Sequence, residues 1–194
     1  MRRNFLLAAL VLLFSAGADA QVASIYVTSS SGHFSNVATG SVSTSSGFQQ
    51  QYANFWTSGV GGGVTLNFLP VGPVRVGLDF RGSTRPGTVG ADTAMAGLKV
   101  GIHPPLIRLK PYIQASGGYV ATRTVNVSTG NAGGAFENKY AAWEILGGVD
   151  VPLVPFLDFR VVELGGGTGV NAFGSSNSPN ISLFTVNTGL VLHF

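Results

Sequence analysis

Residues 181–194 read ISLFTVNTGLVLHF and end on an aromatic residue with no polar tail behind it. Every second residue counted back from the terminus belongs to a mostly apolar set: Phe194, Leu192, Leu190, Thr188, Val186 and Phe184. The residues between them are mixed and include Asn187 and Thr185. A period of two with one apolar face predicts a strand half-buried in an apolar environment. Such an end suits the closing strand of a barrel in a membrane, because the end of a soluble domain would be expected to fray.

The composition favours a fold that presents apolar surface to something other than water. Charged residues make up 10% of the 194 residues, where about 25% is usual. Hydrophobic residues make up an ordinary 45%, and the 28 glycines are roughly twice the usual share. The lysines and arginines form no patch of the kind that binds nucleic acid. With no cysteine, the chain has no disulfide framework, thiolate metal site or lipid-attachment cysteine.

Residues 1–20 predict a secretory signal peptide. They read MRRNFLLAALVLLFSAGADA, with two arginines, an apolar core from Phe5 to Phe14 and a small-x-small cleavage pattern ending at Ala20. The apolar core is shorter than the roughly 20 residues that a membrane-spanning helix needs. We therefore expect residues 21–194 to form the mature chain, as one β-barrel domain.

Seven further strands are predicted, at 22–34, 55–68, 74–83, 92–102, 107–125, 140–151 and 157–173. Short proline-containing turns at 69–73, 103–106 and 152–155 alternate with longer polar loops at 36–53, 84–91, 126–138 and 174–179. Barrels of outer membranes have this rhythm, with short periplasmic turns, longer external loops and an even number of strands. The sequence therefore predicts an all-β fold, an eight-stranded antiparallel up-and-down transmembrane β-barrel.

Charged residues share one face of each predicted strand. Along 74–83, apolar residues occupy the even positions from Val74 to Phe80, while Arg75, Asp79 and Arg81 occupy odd ones. Unpaired charges inside a barrel would be costly, so we expect a mutually paired network that fills the lumen. The residues predicted to form this interior charge network are Arg75, Asp79, Arg81, Lys99, Arg108, Lys110, Glu144, Asp150 and Glu163.

The strand at 157–173 breaks the alternation, because Arg160 and Glu163 have opposite parity. Either a bulge lies between them, or one of them sits at a membrane boundary, where a charge costs little. The boundary placement suits Asp158 and Arg160, which lie beside a turn, with Glu163 facing inward.

A secreted soluble barrel of the lipocalin type is the structural rival, because the pattern of alternation is symmetric under inversion. Three features favour the membrane. The polar face is rich in Gly, Ser and Thr, which suits a crowded interior. The total charge is low for a water-facing shell. The chain also ends on an aromatic residue of the apolar face.

Aromatic residues cluster near the predicted strand ends, as the interfacial girdles of membrane barrels do. The predicted aromatic girdle consists of Trp56, Phe68, Tyr119, Trp143, Phe159, Phe184 and Phe194.

Together these features resemble the small OmpA/OmpX-like outer-membrane barrels, the "outer membrane protein beta-barrel domain" group. The resemblance covers the whole mature chain but rests on unspecific motifs: alternation, turn rhythm and the terminal Phe194. It implies a bacterial outer-membrane location with both termini in the periplasm, and contact with outer-membrane lipids and lipopolysaccharide. It also implies recognition of the C-terminal strand by the barrel assembly machinery, with Phe194 as the assembly signal. We expect a monomer.

Function is less constrained than architecture. A structural or surface-interaction role is the main hypothesis, and a narrow ion or small-solute channel is the alternative. A lipid A-modifying enzyme is the third, and it would have to use His33 with Ser29, Ser30, Ser31 or Ser35 nearby. We expect no catalytic residue, no cofactor and no metal site, since no cluster has the required ligand density.

Overall fold

The computed structural model describes residues 22–44, 47–87, 89–104, 107–125, 135–171 and 180–194. They form eight strands: β1 (Ala23–Thr44), β2 (Gly47–Val71), β3 (Val74–Arg85), β4 (Val89–Ile102), β5 (Lys110–Val125), β6 (Ala135–Val154), β7 (Leu157–Val170) and β8 (Ile181–His193). Each strand pairs antiparallel with the next, and β8 pairs with β1 to close the barrel. The predicted eight-stranded up-and-down barrel is confirmed. Within the described ranges no helix is long and apolar enough to cross a membrane. The predicted signal peptide at 1–20 lies outside these ranges and stays a prediction.

At the turn side, a backbone hydrogen bond continues the seam between β8 and β1 to the last residue of the chain. Phe194 N–H donates to the Ala23 carbonyl at 2.9 Å, which ties the end of the chain to the start of β1. The β2–β3 turn is tight, and Gly72 takes a φ of 58° there, a conformation that glycine adopts without steric cost. The terminal strand is therefore an integral closing strand and pairs with β1 from Ser24 to Ser35.

The predicted polar loop at 36–53 is wrong, because β1 and β2 continue through it as a paired hairpin. Pairing runs from Val37 with Ala53 to Thr44 with Gly47. β1 pairs with β8 only as far as Ser35, so this β1–β2 hairpin projects beyond the barrel rim. A ribbon outside an apolar environment needs no apolar alternation, and its Ser-, Thr- and Gln-rich sequence therefore gave no strand pattern.

The two faces of the barrel wall differ in the sense that a membrane requires. Large apolar side chains are exposed on the outer face of every strand, including Val64, Leu78, Leu98, Ile113 and Ile145. Charged and polar side chains of the same strands are buried inside. A lipocalin-type barrel has the opposite arrangement, so the soluble alternative is excluded by the direction in which the side chains point.

One part of the interior is apolar, although the sequence pattern predicts a polar lumen. A cluster of buried apolar side chains fills the loop-side half of the lumen, and Phe55 packs against it. The cluster consists of Phe34, Val37, Ala91, Met95, Val120, Tyr140, Ala142, Ile181 and Leu183. The lumen is therefore layered, with this apolar cluster toward the loops and charged groups from the middle to the turn side.

Candidate functional site: the lumen

Glu163 is the centre of the polar interior. Its carboxylate accepts hydrogen bonds from Arg81 at 2.9 and 3.2 Å and from Arg160 at 3.1 Å. Tyr112 Oη donates to it at 2.6 Å and Asn187 Nδ2 at 2.8 Å. Donors from β3, β5, β7 and β8 thus converge on one fully buried carboxylate. Two cations and two neutral donors satisfy it, as a buried charge requires.

Asp79 forms a second node on the opposite side of Arg81. It accepts from Arg81 Nε at 2.9 Å, Tyr26 Oη at 2.9 Å, Thr65 Oγ1 at 2.7 Å and Gln114 Nε2 at 2.8 Å. Arg81 therefore bridges the two carboxylates across the lumen. Its Nη2 also donates to Gln114 Oε1 at 3.0 Å.

Arg160 is fully buried and links β6 to β7. Its guanidinium donates to both oxygens of Asp150, at 2.9 and 3.3 Å. It also lies over the rings of Tyr26 and Tyr112, at 4.5 and 4.9 Å from their centroids. Cation–π contact with two rings and a bidentate carboxylate stabilise this buried charge.

A β-bulge at Val161 brings Arg160 and Glu163 to the same side of the wall. Val149 pairs with Val162 and Asp150 with Arg160, so Val161 has no partner on β6. Val161 and Val162 both point outward, 45% and 38% exposed. The boundary placement predicted for Arg160 and Asp158 is wrong, because both side chains are buried inside the barrel. The bulge, which was the other alternative, resolves their parity.

Two tyrosines lie over glycines of the neighbouring strand. Tyr26 faces Gly63 across β1 and β2, and Tyr112 faces Gly148 across β5 and β6. A Cβ at Gly63 would overlap Tyr26 Oη, and one at Gly148 would lie 2.5 Å from Tyr112 Oη. These inward glycines therefore supply the room that the two rings need to reach the central network.

A further charged layer lies between the central network and the apolar cluster. Arg85 is only 2% exposed and donates from Nη2 to Ser30 Oγ at 2.7 Å, with its guanidinium 5.6 Å from the Phe34 ring centroid. Its Nε and Nη1 have no hydrogen-bond partner among the described residues. Glu144 is buried in the same layer and accepts from Thr185. Both line one small cavity that has room for a few water molecules.

The turn-side layer ties three strands together. Asp158 on β7 accepts from Lys110 Nζ on β5 at 2.6 Å, and lies 2.7 Å from His193 Nε2 on β8. Lys99 Nζ lies 3.8 Å from Asp150 and 3.8 Å from the centroid of the Tyr112 ring. Charged groups therefore continue from the middle of the lumen to its turn-side end.

The outer wall of the barrel is apolar, and charged side chains cross its lumen. A barrel that is embedded in lipid has this arrangement. The chain is an eight-stranded barrel of the outer-membrane type. In this outer-membrane-type barrel the charges satisfy one another inside, so none of those in the central network needs to reach the outer face.

Most residues of the predicted charge network line the lumen, but one of them does not. Arg108 lies in the turn before β5, which begins at Lys110 and not at Ile107, and its side chain is exposed. Its alternation with Lys110 suggested an inward position, but outside the strand that periodicity does not apply. Arg75 lines the turn-side end of the lumen.

Several members of the network were missed by the sequence analysis: Tyr26, Arg85, Tyr112, Gln114, Asp158, Arg160, Asn187 and His193. Parity could have found some of them, since Tyr112 and Gln114 alternate in step with Lys110. Arg85 likewise continues the odd positions of Arg75 and Arg81, but the local sequence predicts a loop there.

The residues of the predicted aromatic girdle lie on the outer face, and all are exposed except Tyr119, which is partly buried. Their contact with a membrane interface stays a prediction. His33 also lies on the outer side, with its ring 5.1 Å from that of Trp56 and its Nδ1 3.4 Å from Ser35 Oγ. Among the described residues no carboxylate contacts His33, and no three acidic or histidine side chains are grouped to hold a metal.

The barrel is similar to solved outer-membrane proteins at low sequence identity. Neisserial surface protein A shares 13% identity over 88% of this chain and 97% of its own, with a TM-score of 0.45. The N-terminal β-barrel domain of Pseudomonas aeruginosa OprF shares 12% over 88% and 97%, with a TM-score of 0.46. The outer membrane enzyme PagL shares 12% over 86% and 98%, with a TM-score of 0.47. No family model and no curated protein matches the sequence. These likenesses concern the barrel and select no activity.

Proposed function

We propose that this protein is an integral outer-membrane barrel with a closed lumen, which serves as a rigid scaffold for interactions on its loop side. The observation that carries the proposal is the central network, in which Arg81 joins Asp79 to Glu163 across the lumen. An eight-stranded barrel has an interior just wide enough for side chains, and here buried charged side chains occupy it. A solute path would have to break these pairs.

Exposed apolar side chains around the barrel support insertion in the outer membrane, with lipids and lipopolysaccharide as its surroundings. Ala23 and Phe194 meet at the turn side, which is periplasmic in this class of barrel, so we expect both ends of the mature chain in the periplasm. The β1–β2 hairpin projects on the opposite side, and loops and ribbons on a rigid scaffold often carry binding surfaces. It is therefore the part of the molecule best placed to contact an external partner.

Conductance in planar bilayers tests the closed lumen. We expect no steady channels from the wild-type protein. Opening a path through the lumen would separate the paired charges and leave each one without its partner. Reproducible steps of uniform size would overturn the closed-lumen proposal and favour the narrow channel. A Glu163→Ala variant provides the comparison, since removal of the central carboxylate is the change most suited to open a path.

Heat modifiability and protease treatment test location and orientation. A boiled sample should migrate differently from an unboiled one on a denaturing gel, and protease added to intact cells should cut only on the loop side. A soluble periplasmic protein with no mobility shift would contradict membrane insertion.

We further propose that the protein is a monomer without catalytic activity. His33 contacts Trp56 and Ser35 but no orienting acid among the described residues, which leaves it short of the geometry that nucleophilic catalysis needs. Lipid A from cells with the wild-type protein and with His33→Ala should be identical by mass spectrometry. Deacylated lipid A that depends on His33 would revive the enzyme hypothesis.

A further inference from the structure

A second cavity lies in the lumen between the central network and the turn-side end. It is as small as the first cavity and offers about 30 Å³ to the centres of water-sized atoms, which is room for a few oxygen atoms. Six of the side chains on its wall that can donate hydrogen bonds come from five strands and one turn: Ser24, Asn67, Arg75, Lys99, His103 and Lys110. Because several of these residues are at the ends of strands, the cavity is reached from the turn side.

Positive charge dominates this cavity. Arg75, Lys99 and Lys110 line it, against the two carboxylates of Asp150 and Asp158. Both carboxylates already have cationic or imidazole partners. Asp150 binds Arg160 through its two oxygens, and Asp158 is held by Lys110 and His193 at 2.6 and 2.7 Å. Among the described residues, Asp150 is the only carboxylate within 4 Å of Lys99 Nζ, at 3.8 Å. Lys99 therefore shares this carboxylate with Arg160.

His103 is partly buried in the same cavity. It lies in the turn after β4, and burial together with the nearby charges of Arg75, Lys110 and Lys99 lowers its pKa from 6.5 to about 4. Its imidazole is therefore neutral at physiological pH. The buried Nδ1 atom has no hydrogen-bond partner among the described residues, so the ring is available to a ligand in the cavity.

From this geometry we propose that the turn-side cavity binds a phosphate group. A phosphate presents several acceptor oxygens and up to two negative charges, which matches three convergent cationic side chains. Arg75 and Lys110 come from strands on either side of Lys99, so one anion would join β3, β4 and β5 at this end of the barrel. The phosphate comes either from solution or from a lipid headgroup. That the cavity faces the periplasm rests on the proposed function, whereas the binding itself does not.

Calorimetric titration of inorganic phosphate into the purified barrel, held in a phosphate-free sugar detergent, tests the site. We expect saturable binding with one phosphate per barrel. Lys99→Gln should weaken it about tenfold or more, which corresponds to ~1.4 kcal/mol for one lost charged contact. Arg108→Gln is the matched control, because it removes one positive charge at the same end from an exposed turn outside the cavity. Absence of saturable binding by the wild type, or equal weakening by both variants, would overturn the proposal.

A replacement variant and two further measurements complete the test. If unboiled gels show that Lys99→Gln does not fold, Arg75→Gln at the mouth replaces it. In the wild type, phosphate should shift the side-chain nitrogen resonances of His103 and His193 more than those of His33 on the outer face, and equal shifts would count against the site. Competition with a lysophosphatidic acid separates the sources: displacement of phosphate indicates a headgroup site, and no displacement indicates a site for free phosphate.

Discussion

Arg160 and Glu163 lie three positions apart on β7, yet both enter the lumen, where Arg160 Nη1 donates to Glu163 Oε2 across 3.1 Å. A regular strand would send them to opposite faces, so this pair exists only because of the bulge at Val161. The pair places one carboxylate within reach of two guanidinium groups, those of Arg160 and Arg81.

Glu163→Gln should lower the free energy of unfolding by about 3–5 kcal/mol, because it leaves two buried cations without their shared carboxylate. Urea unfolding in lipid vesicles measures this, with Trp56 and Trp143 on the outer face as fluorescent reporters. Glu137→Gln is the control: Glu137 is exposed and its one ion pair among the described residues is with Lys139, so its loss should change stability by less than about 0.5 kcal/mol. Equal effects of the two substitutions would contradict a central role for Glu163.

Gly148→Ala should destabilise the barrel by about 1–3 kcal/mol, since the new methyl group would overlap the Tyr112 ring. Gly166→Ala is the matched change, because a Cβ there meets nothing within 4 Å. It should be neutral or slightly stabilising, by up to about 1 kcal/mol. The same unfolding experiment separates the two. A harmless Gly148→Ala would mean that Tyr112 does not depend on this glycine for its position.

Arg85 and Glu144 should show non-additive effects. Glu144→Gln alone removes one of the two negative charges, those of Glu144 and Asp92, that act on the buried Arg85, and should be destabilising. The double variant Arg85→Met, Glu144→Gln removes both buried charges, and we expect it to be more stable than Glu144→Gln. A double-mutant cycle of unfolding free energies gives the coupling directly. Additive effects would indicate that the two charges do not interact across their cavity.

The stability of the wild-type protein should fall as the pH drops below 6.5, in part because of His103. Its folded-state pKa of about 4 lies below the ordinary value of 6.5, so between these values the unfolded chain binds a proton that the folded chain does not. This loss is complete below about pH 4 and absent above pH 6.5. His103→Gln should flatten this part of the profile of unfolding free energy against pH. An unchanged profile would show that His103 is not held neutral by its surroundings.

Phe194→Gln should reduce the fraction of the protein assembled in the outer membrane of cells, if Phe194 is the assembly signal. Phe156→Gln is the control, since Phe156 is also 58% exposed but lies in the β6–β7 turn. Both purified variants should refold in detergent, because neither side chain packs in the lumen. Equal losses in cells would reduce Phe194 to an ordinary lipid-facing residue.

The alternation of side chains predicted most of the barrel wall. It located β3 and β4 to within a few residues and placed Asp79, Arg81 and Glu144 inside. It missed the projecting hairpin, because residues outside an apolar environment are not selected for a period of two. It also missed Arg85, because the sequence predicts a loop at this residue, whereas β3 continues to it. The contacts of the lumen depend on which strands face one another across the barrel, and no local pattern encodes that.

The bulge at Val161 shifts the alternation of side chains along β7 by one residue, as an insertion shifts a reading frame. Residues 157–160 and 163–170 follow opposite rules for which positions face the lipid, and one extra residue reconciles them. Deleting Val161 would force either Asp158 and Arg160 or Glu163 out toward the lipid. A genetic selection for suppressors of that deletion should therefore return single-residue insertions between 160 and 163, and not substitutions elsewhere in the chain.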